Sequence, residues 1–270
     1  MVNTLTLFAE GRRKGNKELK LVQRTYTLKD VHLSRQTRRR LQMMRWIVKP
    51  LIRLFALLPK SFAATAQLGT AKGLKGSYAG ISTDYDVLAG VPGVVLGDLY
   101  REDGAADTAL ADSTVVLYLH GGGFVMPAIP RAHVGFAARL CRELSAVGFM
   151  PDYRLAPQHK FPAGLDDCEK SYRGLLDRGY SAEKIVLAGE SAGGALVLGL
   201  LQRIRNLGLP MPACAIPLSP VAEIARAHSP PSRMDNARSD VMLPVKAYSR
   251  MLLFYADGLD GSDPEMSPML

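Results

Sequence analysis

One stretch decides the fold: KIVLAGESAGG, residues 184–194. Its apolar run from Ile185 to Ala188 predicts a buried strand, and the apolar residues that follow recur at helical spacing. Between them lies G-x-S-x-G, which at a strand–helix junction is typical of a nucleophile elbow centred on Ser191. Such a turn strains the serine backbone, so the neighbouring Gly189 and Gly193 must lack bulk. Taken alone, the five residues also fit a plain Gly/Ser-rich turn.

A second segment, HGGGF at residues 120–124, directly follows the apolar run 114–119. Three glycines after a strand make a loop whose backbone can approach a ligand closely. In ester hydrolases such a loop and the residue after the nucleophile supply N–H groups to an oxyanion. A phosphate-binding loop and a plain flexible turn are the alternatives. Neither Gly-Lys-Ser/Thr nor G-x-G-x-x-G is present, which argues against phosphate.

A third segment is DYRLAPQHKFPA, residues 152–163, in which Pro157 and Pro162 predict an irregular loop between a strand and a helix. In this order and spacing, HGGGF, DYRLAP…FPA and GESAGG resemble the hormone-sensitive-lipase-like branch of the α/β-hydrolases. The resemblance covers roughly residues 85–270. It implies a serine carboxylic-ester hydrolase that acts on short to medium acyl esters or lactones through an acyl-enzyme, without metal or cofactor.

The resemblance also implies the site residues. Ser191 is the expected nucleophile, and the N–H groups of Gly122, Gly123 and Ala192 are the expected oxyanion hole. His120 and Gly121 are expected to support the oxyanion loop. Two further histidines, His133 and His159, are interpreted as solvated or structural.

The remainder of a catalytic triad does not follow from the sequence. In these hydrolases the acid and then the histidine come after the serine, and only His228 follows Ser191. Its Pro-rich surroundings fit a surface loop better than a base. The family's acid and histidine lie beyond residues 263–270, so the resemblance assigns neither here. We therefore expect missing C-terminal strands, an open sheet edge and self-association. The alternative function is a catalytically impaired hydrolase-like protein or fragment lacking the triad Asp and His.

The fold class follows from alternating strand and helix patterns. Strands are predicted at 84–102 (two, with a turn at 90–93), 114–119, 149–153, 185–188 and 213–218, and helices at 131–147, 163–176 and 244–255. This order predicts an α/β-hydrolase fold, a mostly parallel sheet with helices on both faces and an N-terminal helical cap. Pro151 is a departure, because proline cannot donate to a sheet ladder.

Three segments are predicted: a flexible basic extension at 1–35, an amphipathic cap segment and linker at 36–80, and the hydrolase domain at 81–270. Residues 1–60 hold 15 basic and 3 acidic residues, a net charge of 15 − 3 = +12, against +9 for the whole chain. The basicity is therefore an N-terminal property. An organelle transit segment is a minor alternative, and a cytoplasmic location fits the three scattered cysteines, which indicate neither disulfides nor zinc.

An amphipathic helix is predicted within 34–60, with a kink or break at Pro50. Its apolar stripe is Leu41, Met44, Val48, Leu51, Phe55 and Leu58. Packing on the hydrolase body as a cap is the leading interpretation. Peripheral membrane contact through residues 36–60 is the second. Nucleic-acid binding is the third and is not expected, because no recognised motif accompanies the charge. The expected partner is a small-molecule ester.

Overall fold

A computed structural model describes most of the chain: residues 4–10, 21–27, 33–57, 76–99, 111–224, 234–259 and 261–269. Two N-terminal strands, β1 (Thr4–Glu10) and β2 (Leu21–Thr27), pair antiparallel in a sheet of their own. Regular structure was not predicted within 1–35. Both strands are rich in threonine and in bulky apolar or aromatic residues, which favour extended backbone over the short range where periodicity is weak.

Seven described strands form the main sheet. They are β3 (Gly76–Tyr78), β4 (Ile81–Leu88), β5 (Val91–Leu96), β6 (Val115–Leu119), β7 (Val147–Pro151), β8 (Ile185–Glu190) and β9 (Cys214–Leu218). Their order is β3-β4-β5-β7-β6-β8-β9. The β7-β6-β8-β9 half is parallel, and β3, β4 and β5 join it antiparallel. This mixed sheet agrees with the predicted fold class, and β9 lies at its edge among the described strands.

The sheet is covered on both faces. Helix α3 (Gly135–Glu143) packs on one face, and α4 (Ala163–Asp177) and α5 (Ala192–Asn206) pack on the other. Strand β6 is buried throughout, and its side chains alternate between the two cores. Tyr118 lies in the core beneath α3, whereas Leu117 and Leu119 lie in the core beneath α4 and α5. Because β6 is parallel to its neighbours and covered on both faces, its sequence is a continuous apolar run.

Strand β6 is the point at which the order of successive strands in the sheet reverses. Strand β7 lies on one side of β6 and β8 lies on the other, both parallel to it. In open α/β sheets, ligands bind in the crevice outside the carboxyl ends of strands at such a switch point. The segments at the carboxyl ends of β6 and β8 are residues 120–124 and Ser191. The topology alone thus places two of the three sequence motifs side by side.

The N-terminal helix spans residues 35–57 in three consecutive parts: α1 (Arg35–Met43), a π-helical turn (Met44–Val48) and α2 (Lys49–Leu57). The Ser34 hydroxyl caps its start by accepting from the Thr37 N–H at 3.1 Å. Pro50 has no N–H to donate, and the π-helical turn ends at Val48, two residues before it. The irregularity predicted at Pro50 is therefore present as a widened turn.

Helix α2 packs against α6 (Val245–Ala256) and the loop before it. Lys49 Nζ donates to the carbonyl oxygens of Ala237 at 3.1 Å and Asp240 at 2.5 Å. Arg45 donates to the Ser239 carbonyl at 3.3 Å. These contacts support the interpretation of the helix as a cap on the body. None of the described helices is long and apolar enough to cross a bilayer.

Several boundaries differ from the sequence-based expectation. Gly76–Tyr78 was predicted as linker and instead forms β3, because a turn at 79–80 folds it back onto β4. The sheet therefore begins before the predicted domain boundary at residue 81. Pro151 is the last residue of β7, paired with Gly93, where a missing donor costs least. In the predicted apolar stripe, Leu51 is exposed, because the neighbouring Lys49 occupies the inward position. Leu58 lies outside the described residues.

We expect Lys49→Met to lower the free energy of unfolding by about 1–2 kcal/mol, because two partly buried carbonyl oxygens lose their donor while the apolar stem is kept. Arg45→Met is the matched control on the same helix. Its exposed single bond should be worth at most about 0.5 kcal/mol. Urea unfolding of both variants measures the difference. Equal costs would contradict the inward anchoring role of Lys49.

Candidate active site

Ser191 stands at the junction between β8 and α5. Its backbone has φ 55° and ψ −117°, a conformation that L-residues rarely adopt. Its N–H donates to the Leu218 carbonyl at 2.9 Å, and its carbonyl accepts from the Ala195 N–H at 3.1 Å. These bonds hold the strained turn between the strand end and the first helical turn. The backbone thus makes the strained strand–helix turn that the sequence predicted at Ser191, and the role of Ser191 as nucleophile stays a prediction.

Steric crowding explains the two glycines that flank the serine at a distance of two residues. A Cβ on Gly189 would lie 2.6 Å from the Leu119 carbonyl oxygen and 2.7 Å from the Gly193 carbonyl oxygen. A Cβ on Gly193 would overlap the Leu119 carbonyl and lie 2.6 Å from the His120 carbonyl oxygen. The start of α5 is therefore pressed against the end of β6, and only glycine permits this approach.

The glycine loop that follows β6 lies directly against the elbow. The Gly121 N–H donates to Glu190 Oε1 at 2.6 Å. A Cβ built on Gly121 would meet the Glu190 carbonyl oxygen at 2.9 Å and the Ser191 Cβ at 3.2 Å. The Gly122 carbonyl accepts from the Met126 N–H at 3.0 Å, which closes a turn in the loop. The structure thus brings the predicted loop and the predicted nucleophile into contact.

Glu190 is the main polar link between the sheet and this loop. Besides the Gly121 N–H, its carboxylate accepts a short hydrogen bond from the Tyr118 hydroxyl. His133 Nε2 lies 3.4 Å from Glu190 Oε1. Burial raises the pKa of Tyr118, and the bond to Glu190 acts in the same direction, so this hydroxyl remains a donor. Glu190 therefore joins β6, the glycine loop and the π-helical turn Pro130–Val134 that precedes α3.

His133 contacts Glu190 as a neutral imidazole. Its Nδ1 accepts from the Ile129 N–H at 2.8 Å, which leaves the proton on Nε2, facing the carboxylate. Burial lowers the pKa of His133, against the opposing effect of Glu190. Of the two interpretations given for this residue, solvated or structural, these contacts support the structural one. Its position next to Glu190 was not expected from the sequence.

His120 lies completely buried beneath the loop that it begins. Its Nδ1–H donates to the Gly121 carbonyl at 2.6 Å, and the Tyr153 hydroxyl donates to the His120 carbonyl at 2.6 Å. The Tyr153 ring stacks on the imidazole with centroids 4.4 Å apart. Burial lowers the pKa of His120 to about 3, although the bond to Gly121 acts in the opposite direction. His120 is thus neutral and braces the loop.

The remainder of the 152–163 segment supports the same region. Arg154 forms an ion pair with the nearly buried Asp167 of α4, with Nε and Oδ2 2.8 Å apart. The Ala156 N–H donates to the Phe124 carbonyl at 2.9 Å. Phe124 in turn stacks on Tyr255 of α6 with centroids 3.8 Å apart. The irregular loop therefore fixes the far end of the glycine loop.

The structure brings the candidate residues of the elbow and the glycine loop together. Ser191, Ala192, His120 and Gly121 are in one contiguous cluster with Gly122 and Gly123, and Ala192 is the buried first residue of α5. His228 lies outside the described residues. Of the described histidines, His120 and His133 have the partners given above, and His159 is exposed. The oxyanion role of the three N–H groups stays a prediction.

Three contributors were missed from the sequence: Glu190, Tyr118 and Tyr153. Tyr118 pairs across the sheet with Ala188, so Glu190, two residues further along β8, lies on the same sheet face. Only knowledge of that register shows that they meet. Tyr153 was inside a quoted motif, and an aromatic hydroxyl just after a strand end was the signal available for it.

Other reactive side chains do not add to the site. Cys141 and Cys168 are buried free thiols, and Cys214 is an exposed one. Burial raises the pKa of Cys141 to about 12, so its thiol stays protonated. Over the described ranges, no group of three or more His, Cys, Asp or Glu side chains is placed to hold a metal ion.

We expect Gly193→Ala to destabilise the protein by about 3 kcal/mol or to prevent folding, because its methyl group overlaps backbone atoms of β6. Gly194→Ala is the neighbouring control, with its nearest new contacts at 3.2 Å. We expect it to change the free energy of unfolding by less than about 1 kcal/mol. Chemical denaturation compares the two, and equal stability would contradict the close approach.

We expect acid to destabilise the fold partly through His120. The unfolded chain binds a proton on this residue below about pH 6.5, whereas the folded chain does so only near pH 3. The free energy of unfolding should therefore fall as pH decreases from 6.5 towards 3, by about 2–3 kcal/mol from His120 between pH 7 and 4.5. Denaturation at several pH values measures this loss.

The comparison of His120→Asn with His159→Asn isolates that contribution. The amide introduced by His120→Asn retains a donor for the Gly121 carbonyl but does not titrate, so this variant should lose less stability on acidification than the parent chain. The exposed His159→Asn variant should keep the full dependence. A slope unchanged in His120→Asn would show that His120 is already protonated in the folded state.

Comparison with known proteins agrees with this geometry. A sequence profile described as the alpha/beta hydrolase fold matches residues 116–270. The carboxylesterase/phospholipase LipF of Mycobacterium tuberculosis is 41% identical over 151 residues, which are 54% of this chain and 38% of that protein. An acetyl-hydrolase of Streptomyces hygroscopicus is 33% identical over 160 residues, 59% of this chain and 52% of that protein. The chain thus spans about half or less of the length of these curated relatives.

Solved structures give the same result over a longer range. The crystal structure of a hormone-sensitive lipase from a metagenome library superposes with a TM-score of 0.65 at 31% identity. The match covers 86% of this chain and 72% of that chain. From the profile, this structural match and the site described above, we conclude that the chain belongs to the α/β-hydrolase fold family, in its hormone-sensitive-lipase-like branch.

Proposed function

We propose that this protein hydrolyses carboxylic esters with Ser191 as the nucleophile. The observation that carries the proposal is the strained Ser191 backbone at the end of β8, with the glycine loop packed against it. Strain of this kind is maintained only where the surrounding structure holds it, and it is concentrated at functional sites. The names of the similar proteins, esterases and acetyl-hydrolases, support the same reaction class.

The chemistry follows from the arrangement of the elbow. Ser191 Oγ attacks the ester carbonyl carbon as its O–H proton is lost, and the carbonyl oxygen takes the negative charge. Collapse then breaks the C–O bond to the alcohol portion, which leaves as the alcohol by taking up that proton, and an acyl-enzyme remains. Water then releases the acid. The N–H groups of Gly122, Gly123 and Ala192 are our candidates for the oxyanion hole, and the α5 N-terminus favours negative charge there. Losing one oxyanion donor typically costs on the order of 10²–10³ in turnover.

We propose short to medium acyl esters or lactones as substrates. The resemblance to hormone-sensitive-lipase-like hydrolases carries this proposal, and the name acetyl-hydrolase borne by one relative agrees with a small acyl group. The reaction as proposed uses neither metal nor cofactor. The polar groups around the loop serve to position backbone N–H groups, because Glu190 and Tyr153 bond the loop itself.

A second candidate is a hydrolase-like protein with impaired catalysis. A serine needs a general base to take its proton. The described histidines favour this candidate, because His120 is buried and neutral beneath the loop and His133 is bound to Ile129 and faces Glu190. In that case the elbow would bind an ester and would accelerate its hydrolysis only through oxyanion stabilisation.

Hydrolysis of p-nitrophenyl butyrate by the purified chain, with Ser191→Ala beside it, separates the two candidates. A working nucleophile predicts a loss on the order of 10⁶ in turnover for Ser191→Ala. Ser181→Ala, a serine removed away from the elbow, should retain the parent rate. Equal background hydrolysis by the parent and by Ser191→Ala would reject the esterase proposal and favour the impaired hydrolase.

A further inference from the structure

The outer side of the N-terminal helix carries an unusual set of exposed apolar side chains. Among the side chains that the structure describes on helix 35–57, six large apolar ones are exposed: Met43, Trp46, Ile47, Leu51, Leu54 and Leu57. Four of them, at 43, 47, 51 and 54, follow one another at the spacing of a single helical face. We call the six residues together the outer apolar face.

Contacts on the opposite side fix which way the helix points. Lys49 is only 7% exposed and donates to the Ala237 and Asp240 carbonyls. Ile52, three residues on, packs on the main hydrophobic core. The inward side of α2 is thus occupied, and the outer apolar face points away from the body. Exposed leucines scattered singly are ordinary on protein surfaces, but a continuous face of this kind marks an interaction site.

Charge identifies the kind of partner. Residues 35–57 contain seven basic residues and no acidic one. Lys49 is used as the anchor, and the other six, all exposed, are Arg35, Arg38, Arg39, Arg40, Arg45 and Arg53. An apolar face bordered by cations is complementary to a surface that is anionic outside and hydrocarbon beneath. A bound nucleic acid would neutralise the arginines but would leave the leucines in water.

We infer that the outer apolar face of helix 35–57 binds the surface of anionic phospholipid membranes. The helix would lie parallel to the bilayer plane, with Met43, Ile47 and Leu54 among the acyl chains and the arginines at the phosphates. A second copy of this chain does not suit the face equally well, because two such helices would bring like charges together. The site lies on the cap, so the inference is independent of the proposed ester hydrolysis.

The chain contains its own probe for this inference. Trp46 is its single tryptophan and is 75% exposed on this helix. Phosphatidylcholine vesicles containing phosphatidylglycerol should move its emission to shorter wavelength and protect it from acrylamide. Pure phosphatidylcholine vesicles should do so much less, and added salt should weaken the effect. The measurement uses the full chain and needs no substrate.

Matched variants distinguish binding through the outer apolar face from nonspecific hydrophobic adsorption. Leu54→Glu places a charge on the outer apolar face. Leu207→Glu makes the same change just after α5, at a residue with a similar exposed fraction, 50% against 57% for Leu54. We expect Leu54→Glu to lower the apparent partition constant at least about tenfold and Leu207→Glu to leave it unchanged. Arg53→Gln should lower it about fivefold, as expected for one basic residue near an anionic surface.

Three outcomes would overturn the inference. The first is an emission that anionic vesicles leave unchanged. The second is an emission that is already shifted and protected without vesicles, because the face would then be covered by another part of the protein or by a second copy. The third is a response to duplex DNA in the absence of any response to vesicles, which would assign the arginines to nucleic acid.

Discussion

The close approach of α5 to the end of β6 is the constraint on which the rest of the site depends. Gly193 fits against the Leu119 and His120 carbonyls only because it has no side chain. That contact sets the position of α5, and the position of α5 forces the chain to turn within one residue at Ser191. The positive φ of Ser191 is thus the consequence of a packing requirement between a strand and a helix.

Polar contacts then attach the glycine loop to this frame. Glu190 receives hydrogen bonds from the Tyr118 hydroxyl and from the Gly121 N–H, and so connects the sheet face under α3 to the loop above the strand ends. From the other face, Tyr153 bonds the His120 carbonyl. The loop is held from both sides of the sheet, and no charged histidine is needed, since burial keeps His120 neutral. If the N–H groups of the loop form the proposed oxyanion hole, they need not reorganise during the reaction.

Part of the candidate site could be predicted from the sequence, because local steric requirements determine it. The elbow at Ser191 and the glycine loop follow from residue types within a few positions, and both have the expected placement. Glu190, Tyr118 and His133 could not be found in this way, because they meet only through the pairing of β6 with β8 and the turn before α3. The predicted apolar stripe of the N-terminal helix was also wrong at Leu51, which is exposed. The buried residue is Lys49, whose bonds to two carbonyl oxygens could not be foreseen from the sequence.

The most direct test of the account is the covalent labelling of Ser191. Diethyl p-nitrophenyl phosphate transfers its diethylphosphoryl group to an activated serine and releases p-nitrophenol. Tryptic cleavage after Lys184 and Arg203 yields residues 185–203, which contain a single serine. The account predicts one diethylphosphoryl group on that peptide from the folded protein and none after denaturation. An unmodified peptide, or a label on another residue, would contradict the central claim that the elbow presents Ser191 as a nucleophile.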